Sequence, residues 1–118
     1  MKNIRIAIAF IVILSAFAFT KSDVLSTSLR ITVINELGNV EEGASVQLFP
    51  TEEDYRNETN AVSEVLKTDD KGRVKFNDLE PKVYFVNAVK GERNNVGAGV
   101  QTDVLIEGKM NKVNIVIE

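Results

Sequence analysis

The 118-residue sequence contains no cysteine, no histidine and no tryptophan, and only two prolines. Without cysteine there is no disulfide scaffold, no thiolate nucleophile and no thiolate-held metal or cluster. Without histidine the commonest general base and the commonest metal ligand are both missing. Most familiar active sites are excluded by these two absences, and no cofactor is expected. Positive charge is scarce as well: 14 Lys and Arg stand against 17 Asp and Glu, for a net charge of −3. A chain with that balance has no large positive field with which to draw in nucleic acid. What is present, 44% hydrophobic and 26% charged residues, suits one globular domain and a short additional segment.

That segment is at the start. Lys2 and Arg5 precede a run from Ile6 to Phe19 that carries no charge and a single polar residue, Ser15. A basic stretch before an apolar stretch is the layout of an export signal. The run is shorter than the roughly 20 apolar residues that a membrane-crossing helix needs, and Lys21, Ser22 and Asp23 end it. Residues 1–18 are therefore read as a cleaved signal peptide. Ala16 and Ala18 supply the small residues for cleavage after Ala18, and a cut as late as residue 22 is the alternative. Loss of Lys2 and Arg5 would take the net charge from −3 to −5. Export without cysteine points to a bacterial protein of the periplasm, the cell surface or the medium, since small secreted eukaryotic domains commonly rely on disulfides. No membrane span is expected once the signal is gone. The triplet Asn57-Glu58-Thr59 fits the N-glycosylation pattern, but in a bacterial protein it is only a polar loop.

Downstream, apolar residues recur with period two in short runs separated by Gly, Asn, Asp, Glu and Pro, the pattern of an all-β domain. Strands are predicted at 29–35, 44–49, 61–68, 73–77, 82–90, 100–106 and 112–118. Seven short strands imply a seven-stranded antiparallel β-sandwich over residues 26–118, prealbumin-like or immunoglobulin-like. Within 52–66 a helical turn competes with strand, because Thr51-Glu52-Glu53-Asp54 resembles a helix start. Alternation assigns Leu29, Ile31 and Val33 to the interior. Ala44, Val46 and Leu48 join them, as do Val74 and Phe76, Tyr84, Val86 and Ala88, and Val113, Ile115 and Ile117. The polar stretch from Gly91 to Gly99 reads as a mobile loop.

Two stretches carry a family resemblance. The run Leu29-Arg30-Ile31-Thr32-Val33-Ile34-Asn35, then Gly38, then Gly43-Ala44-Ser45-Val46-Gln47-Leu48 resembles the opening of carboxypeptidase regulatory-like domains. Thr68-Asp69-Asp70-Lys71-Gly72, followed by Val74, Phe76, Leu79, Pro81 and Tyr84, is similar to the second signature of that family. This sequence departs from the family pattern at Lys82, where the family has Gly, and at Val74, where it usually has an aromatic. The resemblance implies a transthyretin-like sandwich in which Gly72 closes a hairpin, Leu79 plugs one end and Pro81 stiffens the turn before Tyr84. It also implies a module without catalytic activity.

Chemistry-bearing groups are few. Acidic clusters occur at Glu41-Glu42, Glu52-Glu53-Asp54 and Asp69-Asp70. A calcium site wants six to eight oxygen ligands, and Asp69-Asp70-Lys71-Gly72 offers neither alternate carboxylates nor a closing Glu, so turn formation competes with cation binding there. Paired carboxylates for glycoside hydrolysis would need a cleft between them, which a small sandwich hardly provides. For binding, Phe49 and Phe85 fall on the outward parity and Tyr55 lies in a polar segment, while Asn94 and Asn95 belong to the amide-rich loop. These five residues form the candidate binding surface; the alternative is that Phe49 merely ends its strand while Phe85 packs beneath the 52–66 segment, which makes Phe85 structural and Phe49 the more tolerant of change. The expected function is that of a non-enzymatic exported module with a structural or protein-interaction role in the bacterial envelope, its partner an envelope protein or a glycan. The alternatives are a carbohydrate-binding module using exposed aromatics and, more remotely, a small hydrolase.

Overall fold

The computed structural model describes residues 26–118; the signal-peptide reading of residues 1–18 lies outside the described residues. Seven strands form two sheets. They are β1 (Ser28–Ile34), β2 (Ser45–Phe49), β3 (Leu66–Lys67), β4 (Arg73–Phe76), β5 (Phe85–Lys90), β6 (Arg93–Asn94) and β7 (Met110–Val116), with a helix α1 (Glu52–Asn57) between β2 and β3. One sheet has the order β4-β1-β7 and the other β3-β2-β5-β6.

The alternation in the sequence is what fills the space between the sheets. Leu29, Ile31 and Val33 from β1 are buried, as are Val46 and Leu48 from β2, Val74 and Phe76 from β4, Val86 and Ala88 from β5, and Ile115 from β7. Ala44, Tyr84 and Ile117, just outside their strands, complete the same cluster, and Leu79 and Val113 pack against it. All the residues that parity assigned to the interior are in or against this core. Tyr84 is buried because its hydroxyl has a partner: it accepts the Glu80 backbone N–H at 2.9 Å, as a buried phenol requires.

Three features depart from the sequence expectation. Strand β7 pairs with β1 in parallel, Ile31 opposite Val113 and Val33 opposite Ile115, whereas all other strand pairs are antiparallel. The first and last strands of the domain thus lie side by side in the middle and at the edge of one sheet. In addition, residues 100–106 do not form a strand; Gln101 makes an isolated bridge with Phe85. The seventh strand is instead β6, inside the stretch read as a loop, and it pairs with the end of β5. The alternation of Val100, Thr102 and Val104 satisfied the strand pattern, but the backbone there is held piecemeal, by Thr102 N–H to the Tyr84 carbonyl at 2.9 Å and Leu105 N–H to the Lys82 carbonyl at 3.2 Å. The predicted strand 61–68 shrinks to Leu66–Lys67.

Helix α1 forms where the helix-start pattern stood. Thr51 has an extended backbone and its hydroxyl accepts the Asp54 N–H at 3.1 Å, the usual capping bond. Glu52, Glu53 and Asp54 lie in the first turn, where carboxylates complement the helix dipole. Glu58 ends the helix with φ 52°. Gly72, with φ 73°, closes the turn into β4 against the Val33 carbonyl and the Val40 side chain, so closely that a Cβ there would overlap both.

Candidate functional site

The three candidate aromatics converge. Phe49 and Phe85 are direct cross-strand partners between β2 and β5, and the Phe49 ring meets the Tyr55 ring edge-on with centroids 6.2 Å apart. They do not form an open platform, however. Phe49 is 1% exposed, because α1 begins three residues later and folds back over the outer face of β2. Phe85 is half-buried, as is Tyr55. The expectation is thus reversed: Phe49, not Phe85, is the ring packed beneath the segment after Pro50, because Tyr55 of α1 lies against it.

The two asparagines behave differently from each other. Asn95 is fully buried. Its side-chain oxygen accepts the Ala88 N–H at 3.0 Å, and its amide donates to the carbonyls of Val86 at 2.9 Å and Gly99 at 3.1 Å. It acts as a substitute strand partner for β5, so its amide has nothing left for a ligand. Asn94 is half-buried; its side-chain oxygen accepts the Val96 N–H at 3.0 Å, and its backbone pairs with Glu118.

Between α1 and the Val96–Val100 segment lies a hollow of about 380 Å³ over the outer face of β5, lined by Tyr55, Glu52, Glu58, Asn87, Val96 and Val100 together with Arg56. Of the candidate residues only Tyr55 reaches it. Burial, and secondarily the Glu58 charge, raises the Tyr55 hydroxyl above its ordinary pKa, so at neutral pH it is a neutral donor and acceptor. The hollow combines one aromatic ring, two carboxylates, one guanidinium, one carboxamide and two valines. That set can hold a small polar ligand with one apolar face, but it contains no nucleophile activated by a neighbouring base. A second hollow, about 440 Å³, runs between Thr102–Ile106 and the open side of β7. Its wall is set by Asn111, whose side chain accepts the Ile106 N–H at 2.8 Å and donates to the carbonyls of Ile106, Ser28 and Lys109.

The acidic clusters resolve into structural roles. Glu41 is buried beside two cations: Lys90 Nζ lies 3.0 Å and Arg93 a guanidinium nitrogen 2.7 Å from its carboxylate oxygens. Asn35 adds an amide donor at 3.3 Å. The bonds from Arg93 and then Lys90 hold the Glu41 carboxyl down to about 2 from 4.5. The clamp ties the β1–β2 connection to the β5–β6 hairpin, and the sequence signal for it, one of two adjacent glutamates, was indistinguishable from a solvated pair. Asp69 accepts the backbone N–H groups of Lys71 and Arg73 at 2.9 and 3.0 Å; these bonds lower its pKa and shape the turn. Thr68 stood in the sequence only as part of a family-like stretch; its hydroxyl donates to the Glu41 carbonyl and accepts the Ala44 N–H, a bridging role that the letters do not signal. No helix among the described residues is long and apolar enough to cross a membrane.

No protein-family model matches the chain, and no curated protein does. Solved structures do share the fold. The chain is similar to a streptococcal ancillary pilin, with a TM-score of 0.57 and 18% identity over 80% of this chain and 33% of that one. It is also similar to BcpA, the major pilin subunit of Bacillus cereus, with a TM-score of 0.51 and 16% identity over 80% of this chain and 30% of that one. The chain thus spans about a third of each of those pilin subunits. At this level of identity the likeness concerns the seven-stranded sandwich.

Proposed function

We propose that this protein is an exported, non-catalytic β-sandwich module of the carboxypeptidase regulatory-like kind, with a structural or protein-interaction role in a bacterial envelope. The observation that carries the reading is the sandwich held in common with bacterial pilin subunits. It is supported by the way the polar side chains are used. Asn95, Asn111, Thr68 and Thr102 stitch backbone to backbone, and Glu41 clamps two connections. The protein partners implied belong to the envelope. The test is fractionation of a bacterial host expressing the full chain, with mass spectrometry of the product: a form beginning after Ala18, or no later than after residue 22, is expected in the envelope or the medium. Intact protein starting at Met1 in the cytosol would overturn the export half of the reading.

The hollow beside Tyr55 favours glycan binding as a second reading, since an aromatic ring flanked by carboxylates and an amide suits a sugar ring. Loss of glycan-array binding in Tyr55→Ala, with unfolding unchanged, is the expected result; no binding by the unaltered chain would remove it.

A further inference from the structure

The outer face of the three-stranded sheet is unlike the rest of the molecule. Because Leu29, Ile31 and Val33 point inward, Arg30 and Thr32 of β1 point outward. Register places Lys75 and Lys112 directly opposite Arg30 on its two sides, and Arg73 and Asn114 opposite Thr32. A row Lys75–Arg30–Lys112 therefore crosses all three strands at the inter-strand spacing of about 4.8 Å, with Arg73 beside it. None of the outward positions on these strands is a carboxylate, and no ion pair among the described residues involves any of the four cations. Asp69, in the turn before β4, lies close enough to feel the Arg73 charge, but its Oδ1 is taken by the backbone of Lys71 and Arg73.

Two observations mark this face as more than a solvated surface. Like charges directly opposite one another in a sheet are destabilising, and here three stand in line. Moreover, the Nε atoms of both Arg30 and Arg73 are shielded from solvent and have no hydrogen-bond partner, so on each arginine this one N–H is desolvated and lacks an acceptor. Such a group gains more from a bidentate anion than a fully hydrated one does. The acidic first turn of α1 does not cancel the patch. The carboxylates of α1 lie beyond the second sheet, roughly 20 Å away given sheets about 10 Å apart with a helix laid over the far one, and the Debye length is about 8 Å at physiological ionic strength.

We propose that this face binds a linear polyphosphate chain, laid across the strands along the Lys75–Arg30–Lys112 row with Arg73 as a lateral contact. A soluble polymer fits better than a lipid surface, because the face presents no aromatic side chain and its outward apolar residues, Ile34, Met110 and Val116, are half-buried at the strand ends. The proposal does not depend on the envelope role or on the Tyr55 hollow. The test is titration of the full chain with inorganic polyphosphate at several salt concentrations. Four phosphate contacts predict a log–log salt slope of about −3. The triple variant Arg30→Gln, Lys75→Gln, Lys112→Gln should weaken binding by about tenfold or more at low salt, whereas Arg56→Gln, Lys67→Gln, Lys82→Gln, which changes net charge equally, should weaken it by about twofold at most. The double variant of the exposed Lys75 and Lys112, which leaves the half-buried arginine in place, guards against misfolding and should itself lose most of the affinity. The proposal is overturned by absence of polyphosphate binding, by equal loss in both triple variants, by equal binding to phosphatidylglycerol vesicles, or by salt-sensitive self-association that the first triple variant abolishes.

Discussion

The outer faces of the two sheets solve the same problem in opposite ways. On the four-stranded sheet the outward residues include Phe49, Phe85 and Asn87, and α1 with the chain after it folds down over them. Phe49 disappears beneath Tyr55, Gln47 Nε2 donates to the Ser63 carbonyl at 3.2 Å, and the Leu48 N–H reaches the Ser63 hydroxyl at 3.0 Å. On the three-stranded sheet the outward residues are Arg30, Arg73, Lys75 and Lys112 with Thr32 and Asn114, and the half-buried Ile34, Met110 and Val116 stand only toward the strand ends. Apolar side chains on an outer face need a cover, and the sequence supplies one in the long β2–β3 connection. Charged side chains need none, so the face stays available.

The largest expected effect tests the covered face. Phe49→Ala should lose about 3–5 kcal/mol, the range for a buried Phe truncated to a cavity, and Phe85→Ala clearly less, because its ring is only half-buried. Urea unfolding of the two variants settles the order. Equal losses would mean that the ring of Phe85 is covered as fully as that of Phe49.

Asn95 sharpens the same contrast, since it pins the other border of the covered face to β5. Asn95→Ala leaves the Ala88 N–H and the Val86 and Gly99 carbonyls without their partner, and a loss on the order of 2–4 kcal/mol is expected. Hydrogen exchange should show faster exchange of the Ala88 amide in particular. An Ala88 amide as protected in the variant as in the parent would show that another group or a water substitutes for the side chain.

How much of this was readable in advance follows from the range of each force. Period-two burial is local, so the inward residues from Leu29 to Ile117 could be assigned from the letters alone, while the Thr51-Glu52-Glu53-Asp54 pattern offered α1 as one of two competing readings. Whether Phe49 faced water depended on where the chain after Pro50 returned, which is a long-range fact. The parallel pairing of β1 with β7 was hidden for the same reason, because parity is identical for parallel and antiparallel neighbours. Asn95 read as a loop amide, and only the fold shows that it replaces a missing strand partner. The basic row was present in the sequence as Arg30, Lys75 and Lys112, but its coherence comes from a register that joins residues from three distant strands.

Charge behaviour separates the clamp from the bare face. Lys90 and Arg93 have Glu41 as partner, and the folded state holds the Glu41 carboxyl near 2, below its ordinary 4.5. A carboxyl depressed on folding stabilises the protein above its unfolded pKa, and that contribution is lost as pH falls through the folded one. The melting temperature of the parent should therefore exceed that of Glu41→Gln at pH 7, and the gap should close between about pH 5 and pH 2. A gap that persists at pH 2 would mean that Glu41 acts through packing and not through its charge.

The smallest effect is expected on the bare face. Lys75 has Arg30 opposite it and no ion pair, so Lys75→Gln removes a repulsion and little else. Cross-strand pair terms are about 0.2–1 kcal/mol, and an exposed pair is screened by salt. The substitution should leave stability unchanged or raise it by a few tenths of a kcal/mol at low ionic strength, and the gain should vanish in about 1 M salt, where the Debye length falls to about 3 Å. Chemical denaturation with urea, which leaves ionic strength unchanged, is the suitable measurement. A loss above about 1 kcal/mol would instead assign the lysine stem a packing role against its neighbours, and the contrast between a covered face held by contacts and a bare face kept for its charge would fail at that residue.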